Sequence, residues 1–283
     1  MASPLLNLAA AAARLLPEPF KRALYRLGPA SRGLRAALNR SAPPGLSETQ
    51  IAAGDLAGTH LLLNLQTEKD YWLGTYETDL QQAIKDWGKA GMVAFDLGAN
   101  IGYVSLLLAH KAGEGGKVFA FEALPANQKR LQQNLALNPK SKVELVPKAV
   151  TDKKGKAAFL IHPSGGMGKV QGSLGKDAEF QSNIEVETIA IDDFVFKQRN
   201  PPPDLIKIDI EGGEVLALRG MRRILLETRP LLLIELHGRE ADEFAWEILG
   251  NARYSLHHMR KGYPKVAAID ELGKKSYLVA KPA

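Results

Sequence analysis

The sequence predicts an α/β protein, a mostly parallel sheet with helices on both faces, preceded by a basic helical extension. Three observations carry that prediction. From residue 91 onward, short apolar runs alternate with segments of helical periodicity. The runs are apolar throughout rather than alternately apolar and polar, as expected for strands buried on both faces. Two successive runs end on an acidic residue, and the first of them leads into a glycine-containing turn, where such sheets bind their ligands.

Taken in order, 92–96 is a strand ending on Asp96, followed by a turn and a helix from about 101 to 110. A second strand, 117–122, ends on Glu122 and leads to a helix over 125–138. Strands follow at 143–147, at 205–210 with a helix over 213–226, and at 231–236 with a helix over 239–249. Late strands fall near 254–258 and 276–280. Residues 151–190 break the rhythm: 157–161 and 184–189 read as strands around a loop containing Gly165, Gly166, Gly168, Gly172, Ser173 and Gly175. That hairpin-like insertion suggests a mobile cover for a site. Upstream, 59–65 is strand-like, and a helix-like run ends at Trp87. The expected division is a basic helical extension, 1–45, and a domain over 46–283 with its core at 91–258.

Composition narrows the function. The 283 residues are 45% hydrophobic and 24% charged, ordinary for a globular protein. The absence of cysteine excludes disulfides, cysteine-ligated zinc and thiolate catalysis, and suits a reducing cytoplasm. Of 37 basic and 31 acidic residues, residues 1–40 hold seven basic and one acidic, which leaves thirty of each for the rest. The body therefore lacks a cationic field for nucleic acid, and the excess charge belongs to the extension. There Phe20, Ala23, Leu24 and Leu27 form an apolar stripe with Lys21, Arg22 and Arg26 opposite. The stripe fits an arm packed on the domain and, as the alternative, peripheral contact with the inner membrane surface. No run reaches the ~20 continuous apolar residues of a membrane span.

The strongest local signal is Asp96-Leu97-Gly98-Ala99-Asn100-Ile101-Gly102, leaving one strand and entering a helix. A dinucleotide fingerprint would place glycine at 98, 100 and 103, where the chain has Gly98, Asn100 and Tyr103. The acid-x-Gly-x-x-x-Gly spacing instead fits a loop holding S-adenosyl-L-methionine. Glycine lets the backbone approach a ligand closely, and Asn tolerates left-handed dihedrals. Asp96 would serve the cationic methionine end. Glu122, about twenty residues beyond the turn, stands at the offset of a ribose-binding carboxylate. Ala149, after the third strand, would border the adenine.

At the acceptor end, Asn200-Pro201-Pro202-Pro203 precedes the fourth strand rather than ending it, so it does not match the Asn-Pro-Pro-Tyr signature of amino-methylating enzymes. The strand closes on Lys207-Ile208-Asp209-Ile210-Glu211, and alternation would point Lys207, Asp209 and Glu211 the same way. Lys207 reads as the partner of a strand-end acid, and Glu214 as a favourable charge at a helix N-terminus. The fifth strand adds Glu235 and His237. Asp209, Glu211 and His237 are the candidate catalytic bases. Asp209, Glu211, Glu235 and His237 form an alternative ligand set for a hard divalent ion such as Mg2+.

From Tyr71 through His237 the chain resembles the FkbM family of methyltransferases. The marks are Tyr71-Trp72 to Glu77, Asp96 to Gly102 with Tyr103, Phe121-Glu122, Asn134 and Asn138, Ile191-Asp192-Asp193-Phe194, Lys207 to Glu214, and Arg229-Pro230 to His237. The resemblance implies a class I, Rossmann-like methyltransferase fold, S-adenosylmethionine as cofactor, and hydroxyl acceptors on sugars or natural products; the expected reaction is O-methylation of a sugar, glycolipid or natural-product hydroxyl. It also implies a ligand role for Glu77. That family commonly has Pro directly after its ribose-binding Glu, where this chain has Ala123-Leu124-Pro125. Competing readings are N-methylation of a small molecule and a membrane-surface binding protein that keeps the fold without catalysis.

Overall fold

The computed structural model describes residues 4–15, 29–162, 168–173 and 182–283. It divides into two compact units, Met1–Thr78 with Ala136–Pro139, and Asp79–Leu135 with Lys140–Ala283. The boundary thus falls after Thr78, inside the segment expected to open the main domain.

In the smaller unit, helices α1 (Pro4–Leu15) and α2 (Pro29–Ser41) each begin at proline, whose fixed φ and missing N–H suit a first turn. Strands β1 (Ser47–Gln50) and β2 (His60–Leu63) pair antiparallel, and α3 (Lys69–Trp72) follows. Leu6, Ala13, Leu38, Ile51, Leu61 and Trp72 are buried, and the Arg14 Nε donates to the Ala52 carbonyl at 2.8 Å. The described parts of residues 1–45 are therefore mostly helical, with Leu6, Ala13 and Leu38 buried in this unit. The stripe expected at residues 20–27 lies outside the described residues. Asn138 holds β2 from a distant part of the chain, accepting from the His60 amide and donating to the His60 carbonyl at 2.7 Å.

The larger unit begins with α4 (Thr78–Trp87), β3 (Val93–Leu97), α5 (Tyr103–Ala112), β4 (Lys117–Phe121), α6 (Pro125–Ala136) and β5 (Val143–Val146). Next come β6 (Ala149–Val150), β7 (Gly155–Ile161), β8 (Gly168–Val170) and β9 (Ser182–Ile189). After a π-helical turn, Asp193–Lys197, the chain forms β10 (Leu205–Ile208), α7 (Glu214–Arg219), α8 (Arg222–Glu227), β11 (Leu231–His237), α9 (Arg239–Asn251), β12 (Tyr254–His258) and β13 (Lys275–Pro282). The main sheet runs β12-β13-β11-β10-β3-β4-β5. The five strands from β11 to β5 are parallel, and β13 runs antiparallel between β11 and β12. Strand order reverses at β3: β4 and β5 build one side, β10 and β11 the other. A crevice therefore opens at the carboxyl ends of β3 and β10.

Phe95, Phe119 and Phe121 from β3 and β4 are fully buried, and Phe194 of the π-turn packs on Phe119 and Phe121 with ring centroids 5.1 and 5.0 Å away. Asp192 beside it accepts from the amides of Arg223 and Ile224 and so caps α8. Helix α5 is buried over Tyr103–Ala109 and at Ala112, as its mainly apolar sequence requires, and leaves His110 and Lys111 less covered.

Three expectations are corrected. The helix expected over 213–226 is two helices, broken where a Cβ on Gly220 would lie 2.1 Å from the Thr151 carbonyl. β10 ends at Ile208, so Asp209 and Glu211 belong to a turn and strand alternation does not orient them. The insertion at 151–190 does contain the β7–β9 antiparallel pair, but it forms a four-stranded sheet with β6 and β8. Much of its glycine-rich loop lies outside the described residues, and with it the expectation of a mobile cover.

Candidate active site

The loop from β3 to α5 is made by backbone that few residues adopt: Gly98, Asn100 and Gly102 have φ of 83°, 49° and 89°. The amides of Gly98 and Ala99 both donate to the Phe121 carbonyl, at 3.0 and 2.9 Å, which ties the turn to β4. On its other side the turn touches β10's extension so closely that a Cβ on Gly98 would sit 1.9 Å from the Asp209 carbonyl oxygen.

Asp96 is completely buried at the end of β3. One of its carboxylate oxygens accepts from the Ser105 hydroxyl at 2.6 Å, and the other pairs with the Lys207 ammonium at 3.1 Å. Lys207 also donates to the Gly98 carbonyl at 2.9 Å and approaches Asp209 at 3.9 Å. A buried charge is tolerable when paired and hydrogen-bonded. This group of charges therefore pins the ligand loop to β10.

Glu122, one residue past β4, is also buried. Its carboxylate accepts from the amides of Asn100 and Leu124, both at 2.8 Å. Burial pushes its pKa up, against the opposing pull of the Leu124 and Asn100 amides. Ala149 lies in β6, buried in an apolar cluster with Leu124, Phe159, Val170 and Val186. Glu77 belongs to the smaller unit, where its φ is 43°.

A second cluster forms at the ends of β10 and β11. The turn after β10 carries Glu211 at φ 54° and Gly212 at φ 99°, consecutive left-handed residues of the kind that gather at functional sites. It wraps the fully buried Glu214, whose Oε1 accepts from the Gly212 amide at 3.0 Å and from the His237 Nδ1 at 3.0 Å. The other His237 nitrogen lies 2.9 Å from Glu235 and 3.5 Å from Glu211. Burial alone would lower the His237 pKa, but Glu214 and Glu235 outweigh it and raise it to about 10. Glu235 is held below the usual carboxylate range, despite burial, by His237 and Lys275. Asp209, Glu211 and His237 present ligand atoms within 4.8 Å of one another, the geometry of a candidate cation site.

Of the residues singled out in the sequence, Gly98, Asn100, Gly102, Asp96 and Glu122 converge on one loop, and Asp209, Glu211, Glu235 and His237 on the next strand ends. Four participants were not singled out as site residues: Ser105, Asn127, Glu214 and Lys275. Asn127 donates to Glu122 at 3.4 Å. Lys275 pairs with Glu235 from the antiparallel strand opposite His237. Glu214 suits a helix N-terminus, as its position suggested, and also orients a histidine 23 residues away. Nothing local in the sequence announces such a partnership.

A crevice at the point where strand order reverses, floored by a Gly/Asn turn with a carboxylate one strand away, places the fold among the S-adenosylmethionine-dependent methyltransferases of the Rossmann-like class. Comparison with family models sharpens this: the methyltransferase FkbM domain matches residues 96–264, and the chain belongs to that family. Hexuronic acid methyltransferase AglP of Haloferax volcanii is 26% identical over 179 residues, 63% of this chain and 70% of the relative. The 2-O-methyltransferase NoeI of Sinorhizobium fredii is 29% identical over 158 residues, 50% of this chain and 62% of the relative. Among solved structures, methyltransferase FkbM from Methylobacillus flagellatus is 19% identical, covering 77% of this chain and 54% of that one, with a TM-score of 0.43.

The residues present fit the cofactor. An ionised carboxylate has about four acceptor positions, so Glu122 can receive ribose hydroxyls while keeping its two short amide bonds.

Proposed function

We propose that the chain methylates a hydroxyl oxygen of a sugar or sugar-bearing acceptor, with S-adenosylmethionine held by the 96–102 loop, Glu122 and the Ala149 region. The observation that carries this reading is the meeting of Asp209, Glu211 and His237 at the carboxyl ends of β10 and β11. When bound, the cofactor supplies a methyl carbon made electrophilic by its sulfonium. The chain's own tasks are to align the acceptor oxygen and to take its proton. His237, protonated between Glu214 and Glu235, donates rather than accepts, and Glu214 fixes its ring. Asp209 and Glu211 are the carboxylates of the cluster that reach solvent, which favours them as proton acceptors. Glu77 is assigned to the cofactor through the family resemblance alone.

A second reading rests on the same three residues. The Asp209 and Glu211 carboxylates among them offer oxygen ligands that suit a hard divalent ion such as Mg2+, which would acidify an acceptor hydroxyl. The kinship to a hexuronic acid methyltransferase and a 2-O-methyltransferase supports an oxygen acceptor on a sugar. The test is a transfer assay with labelled S-adenosylmethionine against uronic acids, neutral sugars, glycolipids and amines, with and without Mg2+. Transfer to sugar hydroxyls that is lost in Asp209→Asn supports the proposal, and transfer confined to amines refutes it. Stimulation by Mg2+ together with loss on chelation selects the metal reading.

A further inference from the structure

Helix α1 has two apolar faces. One is inward: Leu6 and Ala13 are buried, and Arg14 between the faces is anchored to the Ala52 carbonyl. The other is outward. Pro4, Leu8, Ala11 and Leu15 are all exposed, and at 100° per residue they fall on one strip of the helix. Leu8 is 67% and Leu15 81% exposed, two of the five large hydrophobics exposed among the described residues. Leu46, at 55%, is a third in the same unit. Scattered exposed leucines need no explanation, but two aligned on one strip of a single helix form an exposed apolar face that no described residue covers.

Charge decides what covers this face. The first 40 residues carry seven Lys and Arg against one Glu, and the rest of the chain is balanced. Nucleic acid would match the charge but gains nothing from an aliphatic strip. A second copy of the chain would match the strip but would bring two strongly basic segments together. An anionic bilayer surface matches both, because leucines enter the boundary between headgroups and acyl chains and the net positive charge of this stretch of sequence favours anionic lipid. We propose that α1 docks this protein on an anionic membrane surface through Leu8, Ala11 and Leu15, lying in the interface. Among the described residues no helix is long and apolar enough to cross a membrane. The site of methyl transfer plays no part in this inference, and the test does not depend on activity.

The experiment is co-sedimentation of the full chain with phosphatidylcholine vesicles, with and without phosphatidylglycerol. The expected result is binding that needs the anionic lipid and that falls at least about tenfold in the double variant Leu8→Glu/Leu15→Glu. Leu8→Ser/Leu15→Ser gives a smaller loss in the same direction. Leu226→Glu, at another exposed leucine, in the larger unit, leaves binding unchanged. An unaltered melting temperature confirms that the variants are folded. The proposal is overturned if the chain ignores anionic vesicles, or if the double variant binds them as well as the parent. It is also overturned if sedimentation velocity shows a dimer that the double variant dissolves while vesicle binding is absent.

Discussion

Replacing Gly98 with alanine tests the close approach on which the ligand loop depends. The new Cβ would stand 1.9 Å from the Asp209 carbonyl oxygen and 3.0 Å from the Ile210 Cγ2, on backbone with φ +83°. Left-handed backbone costs a non-glycine residue about 1–2 kcal/mol, and forcing atoms into a packed site costs about 1–3 kcal/mol more. The sum, about 2–5 kcal/mol, lowers the melting temperature by roughly 5–15 °C for a unit of this size. Gly91→Ala separates the two contributions, because Gly91 has φ +78° but a Cβ placed there would meet no atom within 4 Å. It carries the dihedral cost alone, a fall of roughly 2–6 °C. The clash in Gly98→Ala also parts the ends of β3 and β10, so the affinity for S-adenosylmethionine drops at least about tenfold, by an amount equal to ~1.4 kcal/mol or more. Differential scanning calorimetry and titration calorimetry read the two effects. If Gly98→Ala melts with Gly91→Ala and binds the cofactor like the parent, the tight junction between loop and β10 is not what positions this site.

Glu122→Ala removes the acceptor for the Asn100 and Leu124 amides and, in the proposed complex, for the ribose hydroxyls. Titration calorimetry then shows cofactor binding weakened by about 1–3 kcal/mol, and unchanged affinity rejects the assignment. Asp209→Asn keeps the size of the side chain but not its basicity. Turnover falls far more than cofactor affinity, and equal turnover removes Asp209 from the chemistry. His237 has a folded pKa raised to about 10 from an unfolded value near 6.5. Its contribution to stability is therefore complete below the unfolded value and is lost as pH rises through the folded one. Urea unfolding in chelator between pH 7 and 10 shows a decline of up to about 1.4 kcal/mol per pH unit that His237→Gln abolishes, and a parallel decline in both proteins refutes it.

Much of the larger unit was legible because its determinants are local. Apolar runs flanked by helical periodicity gave β3, β4, β10 and β11 to within one or two residues, and the Asp96-to-Gly102 spacing located the loop. The paired roles were not legible. Alternation implied a common direction for Lys207, Asp209 and Glu211, but the strand stops at Ile208 and the turn is shaped by Glu214. Lys275 meets Glu235 through antiparallel register, set by a strand arriving some forty residues later. The extra strands β6 and β8 are two and three residues long, too short to show a period. Glu122 stands out in the sequence by its strand end and its offset from the turn, whereas its bond from the Asn100 amide depends on how β4 lies beside the loop.

The short return Ala136–Pro139 has an architectural consequence. Asn138 satisfies both backbone groups of His60, and the last residue of α6 with the three that follow it is grouped with a unit whose other members end at Thr78. The smaller unit is thus assembled from two separate stretches of polypeptide. Cutting the gene at a single point cannot isolate it whole. A chimera that grafts the larger unit onto a different leader must either redesign this loop or deprive Asn138 of the His60 backbone it clasps.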